Sequence, residues 1–169
     1  MSPRPQTLLL PVRPWFVWFS LLCALFLNLL PWRNHGLMLQ PDFVILLLLY
    51  WNLYEPERVS LGWGLIFGLL MDVADAALAG QHALAYVVTL YLALQLSRRM
   101  RMFGQWWQAM HLMPLLLLGA AIMVLVRFLA ERRLPGWSYF YGPMVGALCW
   151  PVLTHVLQWP QRRARESEL

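Results

Sequence analysis

Two carboxylates and an imidazole, Asp72, Asp75 and His82, interrupt an otherwise apolar stretch, with Gly80 and Gln81 beside the histidine. Three kinds of chemistry are open to such a set. One histidine and two carboxylates are acceptable ligands for a divalent metal, but their spacing matches no recognised site and no second histidine is close in sequence. Paired aspartates can share a proton over one substrate bond, as intramembrane proteases need, yet these two are only three residues apart and carry no substrate-opening signature. The third possibility is electrostatic. A carboxylate at membrane depth is costly and turns toward a bundle interior, a hydrated cavity or a counter-charge.

Arg127 offers that counter-charge. Asp72 lies about 14 residues beyond Arg58, roughly 20 Å of helix rise, and Arg127 lies about 20 residues beyond Trp107, so both fall in the same half of a bilayer. The expectation is a buried or half-buried Asp72–Arg127 pair, with Asp75, Gln81 and His82 closing a polar cluster at its periplasmic end. Fixing helix packing is the first reading of the cluster, and binding a ligand is the second. There is no nucleophilic serine motif and no glycine-rich phosphate loop after a strand, and His35, His111 and His155 are isolated. Cys23 and Cys149 lie inside apolar segments without a spacing suited to zinc or redox work, and read as structural. No enzyme, metal or cofactor is expected.

The elements that must position these residues follow from composition. Hydrophobic residues make up 60% of the chain and charged residues 12%, a balance that belongs to an integral membrane protein. A crossing takes about 20 apolar residues, so 169 residues with short polar breaks make about six helices. The candidates are residues 15–30, 43–54, 59–78, 83–96, 107–130 and 137–157. The second is short enough that it must tilt, thin the bilayer or lie partly re-entrant. Breaks at 55–58, 98–101 and 131–136 suit antiparallel neighbours. The fold class is therefore all-α, one compact transmembrane bundle, with residues 1–169 as a single multi-pass domain and short cytoplasmic ends. The first segment lacks a small-x-small cleavage pattern and follows a proline-rich stretch, so it reads as a retained helix.

All the basic residues are arginines. With six spans and the amino terminus inside, Arg4, Arg13, Arg58, Arg98, Arg99, Arg101, Arg162, Arg163 and Arg165 fall on the cytoplasmic side, against Arg33, Arg132 and Arg133 opposite. Both termini are thus expected in the cytoplasm. The net charge of +5 is spread over loops beside apolar spans, which favours anionic lipid headgroups over nucleic acid. Trp15, Trp32, Trp51, Trp106, Trp137 and Trp159 fall near span ends, where an indole can anchor in the interface.

Ser60, Gly64, Gly68, Asp72 and Ala76 recur every four residues and form one inclined ridge. Small side chains there admit another backbone closely. Gly142 and Gly146 repeat the spacing. Such ridges pack helices within one molecule or dock a second subunit, either another copy or a partner's helix.

Tyr50-Trp51 followed by Pro56, then Gly68-Leu-Leu-Met-Asp72, Gly80-Gln-His-Ala-Leu84 and Tyr91-Leu92 together resemble the bacterial rod shape-determining protein MreD family. The resemblance implies a non-enzymatic scaffold of the elongation machinery in the bacterial inner membrane. It would bind MreC and work with the filament protein MreB, with RodA and with RodA's partner transpeptidase. It also implies a fold similar to the membrane substrate-binding subunits of energy-coupling-factor transporters. Under it Asp72, Gly80 and His82 are the residues to which a binding role carries over. The stretch from Val73 to Ala79 departs from the pattern, being alanine-rich and carrying an additional acid, Asp75, to which, as to Arg127, that role carries over less readily. The rival from another class is a small-molecule-binding subunit of a transporter, its polar cluster lining a cavity.

Overall fold

The computed structural model describes residues 12–30, 39–132, 134 and 136–166. Arg4, Trp32, Arg33, His35 and Arg133, and the side chains of Arg162, Arg163 and Arg165, lie outside what is described. Six α-helices occupy the six apolar segments: α1 Pro14–Leu29, α2 Phe43–Tyr54, α3 Leu61–Ala74, α4 Gln81–Met100, α5 Gln105–Glu131 and α6 Tyr141–Glu166. A 3-10 turn, Trp137–Phe140, leads into α6. There is no strand among the described residues.

Local sequence sets the helix ends. Pro14 opens α1, where its fixed φ suits the first turn and its missing N–H loses nothing. Asp42 caps α2, its Oδ1 accepting from Val44 N at 3.0 Å and Ile45 N at 3.2 Å. Helix α3 stops at Ala74, four residues short of the expected end, because the backbone turns at Asp75 and Ala76, the latter at φ +48°. Helix α5 ends where Arg132 turns left-handed at φ +57°.

Among the described residues two helical stretches are long and apolar enough to cross a membrane, Gln105–Glu131 and Trp137–Trp159. Helices α1, α2 and α3 are apolar but shorter. Every residue from Val44 to Leu53 is buried, so α2 is a core helix enclosed by protein. A helix hydrophobic on all sides has no polar face to turn to water, and a 12-residue run is long enough to be a core element. Around α2 stand α1, α3, α4 and α6, while α3 packs on α4, α4 on α5 and α5 on α6.

The position of α2 corrects one reading of the tryptophans. Trp51 is fully buried, and its Nε1 donates to Ser20 Oγ of α1 at 2.9 Å. It is a core residue and no interfacial anchor. Trp15, Trp106, Trp137 and Trp159 are exposed. Trp150, also fully buried, donates to Gln108 Oε1 at 3.2 Å, and Tyr54 Oη donates to the same oxygen at 3.3 Å. Gln108 thereby ties α2, α5 and α6 together. Cys23 is exposed and Cys149 half-buried, both as free thiols.

Candidate functional site

The α3–α4 turn is organised by Asp72. Gly80, the residue before α4, sits at φ +94°, a left-handed conformation that only glycine adopts without strain. Having no side chain, it cannot cap the helix it precedes. Asp72 does so from the preceding helix, its Oδ2 accepting from Gly80 N at 2.8 Å and its Oδ1 from His82 N at 2.7 Å. A carboxylate here satisfies orphan N–H groups and lies at the positive end of the α4 dipole. His82 Nδ1 lies 2.9 Å from the same Oδ1, and its Nε2 lies 3.5 Å from Asp75 Oδ2. Since Asp72 otherwise accepts from two N–H groups, the bond from Nδ1 is a third donation and leaves Nε2 facing Asp75. Asp72 is 3% exposed, whereas the Asp75 side chain is 49% exposed.

Asp72, Asp75, Gly80 and His82 thus come together, with Gln81 buried beside them. Arg127 does not join them. The expected Asp72–Arg127 ion pair is absent: Asp72 pairs with His82, and Arg127 makes no ion pair with a described residue, its Nε being buried without a hydrogen-bond partner. Asp72 lies on the Gly64 and Gly68 face that packs on α4, and the early end of α3 brings the start of α4 beside it with three donors.

The glycine ridge is used inside the molecule. A methyl group at Gly68 would stand 2.6 Å from Ala83 N, and one at Gly64 would run into Leu90 Cδ1, so both glycines seat α3 on α4. Gly142 and Gly146 face a different neighbour. They line a cavity of about 520 Å³ walled by every α-helix and by the 3-10 turn.

His82 and Asp75 form one side of that cavity, and Asp42, Asn28, Tyr86 and Tyr139 form others. Asp42 is the hub that the sequence reading missed. Besides capping α2, its Oδ1 accepts from Asn28 Nδ2 at 2.8 Å and its Oδ2 accepts a short bond from Tyr86 Oη. Asn28 Oδ1 in turn accepts from Phe43 N at 3.0 Å. The available signal was an aspartate directly before an apolar run, the mark of a helix cap. Its second role, gathering α1 and α4, involves residues 14 and 44 positions away and has no local signature. Thr89, also in the wall, is 1% exposed, and its hydroxyl has no hydrogen-bond partner among the described residues.

Elsewhere, His111 Nδ1 lies 2.8 Å from Trp107 O with its ring stacked on Phe103, and His155 is exposed on α6. Among the described residues no group of three or more histidine, cysteine or acidic side chains is arranged to hold a metal.

Residues 11–160 match the family of the rod shape-determining protein MreD. The rod shape-determining protein MreD of Haemophilus influenzae is 30% identical over 138 residues, which are 79% of this chain and 85% of that protein. No solved structure matches the chain.

Proposed function

The chain belongs to the MreD family of rod shape-determining proteins, and on that footing we propose that it serves as a non-enzymatic membrane scaffold of the cell-elongation machinery. It binds MreC through apolar helix faces and, with MreB, RodA and RodA's partner transpeptidase, links cytoplasmic filaments to peptidoglycan synthesis. In this reading residues 1–169 form one multi-pass domain in the inner membrane. Its six helices make a single bundle like that of the energy-coupling-factor substrate subunits, and both termini are cytoplasmic.

The observation that carries the proposal is the family match over residues 11–160. The outward faces of the helices support it. On α3, Leu65, Ile66, Leu69, Leu70 and Val73 are all exposed and form one continuous apolar stripe, opposite the glycines that seat the helix on α4. In lipid such a stripe is solvated by acyl chains or covered by another helix, and association there rests on packing. With Gly64 and Gly68 facing inward, a partner's helix meets larger side chains in place of the small-residue ridge. Asp72 and His82, held by one another and by the α4 terminus, act in this reading as the brace of that platform.

Pull-down of the intact protein from membranes, with identification of what accompanies it, tests the proposal. MreC in the eluate, and rounding of rod-shaped cells on depletion, are the expected results. Recovery without MreC from cells that contain it, with cell shape unchanged on depletion, defeats the reading. A second reading, a small-molecule-binding membrane subunit, is favoured by the cavity alone.

A further inference from the structure

We propose that the cavity between the helices is a binding site for a small organic cation, a protonated amine carried on an apolar body. The inference does not depend on the scaffold reading, since a scaffold needs no internal space of this kind. A volume of about 520 Å³ lies within the range of about 300–1,000 Å³ typical of small-molecule sites.

The charge of the wall selects the ligand. Asp42 and Asp75 line it and Asp72 stands directly behind His82, while no arginine among the described residues lines it. Arg127 is near enough for its charge to be felt at Asp75, but it makes no ion pair there. Three carboxylates against one guanidinium and one imidazole leave the region net negative even with His82 protonated. An anion is therefore repelled and a cation attracted, more strongly than in water because the surroundings are apolar. Asp42 already accepts from four protein donors, which makes it a fixed background charge. Asp75, with a single long contact to His82, is the carboxylate free to receive an ammonium group.

Thr89 supplies an observation of a different kind. A buried hydroxyl ordinarily finds a partner, and leaving one without is unfavourable. Thr89 Oγ1 has none among the described residues, although it lies in the cavity wall, next to Gly119, where an added methyl would stand 2.9 Å from it. A bound molecule with a polar group at that depth supplies the missing bond. Ile45, Leu46, Leu116 and Met123 give the wall an apolar part, which suits a hydrocarbon or aromatic body and not a hydrated inorganic ion.

The test uses the full chain purified in detergent and three probes of nearly one shape: phenethylamine, the neutral 2-phenylethanol and the anionic 3-phenylpropionate. Thermal stability and equilibrium binding are followed at neutral pH. Phenethylamine is expected to bind saturably and raise the melting temperature, and the other two are expected to do neither. Asp75→Asn, at a half-exposed position, is expected to fold normally and weaken phenethylamine binding at least about tenfold. Thr89→Val keeps the side-chain shape and is expected to weaken it severalfold. Equal responses to the amine and the alcohol, tighter binding of the anion, no saturable response to the amine, or wild-type affinity in a folded Asp75→Asn variant would each overturn the proposal.

Discussion

Gly68 on α3 lies against the backbone of Ala83 on α4, so close that a methyl at Gly68 would stand 2.6 Å from Ala83 N. Backbone cannot retreat as a flexible side chain can, and the two helices must separate to admit any larger residue. Gly68→Leu is therefore expected to destabilise the fold by about 1–3 kcal/mol or more. Leu69→Trp, one position along on the exposed stripe, is expected to leave stability unchanged. Unfolding of both variants in mixed micelles compares them. A wild-type profile for Gly68→Leu would show that the ridge does not hold α3 to α4.

Asp72 and Arg127 are expected to be energetically independent. Asp72 accepts from Gly80 N, His82 N and His82 Nδ1, and none of these bonds involves Arg127. Asp72→Ala removes the cap of α4, with a cost of about 1–2 kcal/mol. Combined with Arg127→Gln, the two effects should add to within about 0.5 kcal/mol, and a charge-swapped pair should show no rescue. A coupling well above that in a double-mutant cycle would restore the ion pair that α3 turns away from.

The contrast between these residues says what sequence can carry. Asp72, Gly80 and His82 fall within eleven residues, so helix-end logic brings them near one another before any tertiary contact is known. Six apolar runs likewise give six helices, because hydrophobic length is a local property. Depth alone pairs Arg127 with Asp72, and depth gives no azimuth: Asp72 shares the face of Gly64 and Gly68, which packs on α4. The full burial of α2 was signalled by its short length and its lack of a polar face, yet only the packed neighbours show it as a core element. The cavity was the least legible feature. Asn28, Asp42 and Tyr139 come from separate elements, and no spacing rule joins them to Tyr86 and Thr89 on α4.

Gln108 supports a second polar junction, away from the cavity. It is 3% exposed, and its Oε1 accepts from Trp150 Nε1 and Tyr54 Oη while its Nε2 donates to Phe103 O at 3.1 Å. Gln108→Met fills similar space but leaves the buried indole N–H of Trp150 without its acceptor, and a loss of about 1–3 kcal/mol is expected. Gln105→Met, three residues earlier at the half-buried start of α5, should cost less than about 0.5 kcal/mol. Equal stability of the two variants would mean that Gln108 contributes packing alone.

Tyr86→Phe probes the hub at Asp42 with the smallest change available. The ring of Tyr86 is 1% exposed and keeps its place without the hydroxyl, so packing is conserved while Asp42 Oδ2 loses its donor. Asp42 is half-buried, and losing a hydrogen bond to a charged group costs about 1.5–3 kcal/mol. The effect should also spread. Asp42 Oδ1 caps α2 and holds Asn28, so faster amide exchange is expected at Phe43, Val44 and Ile45 as the carboxylate loses one of its anchors. Tyr91→Phe, on the exposed face of the same helix, should change neither stability nor exchange. Faster exchange confined to Tyr86 and its own helical turn would mean that Asp42 does not transmit between α4 and α2, and the two helices would then be joined there by apolar contact alone.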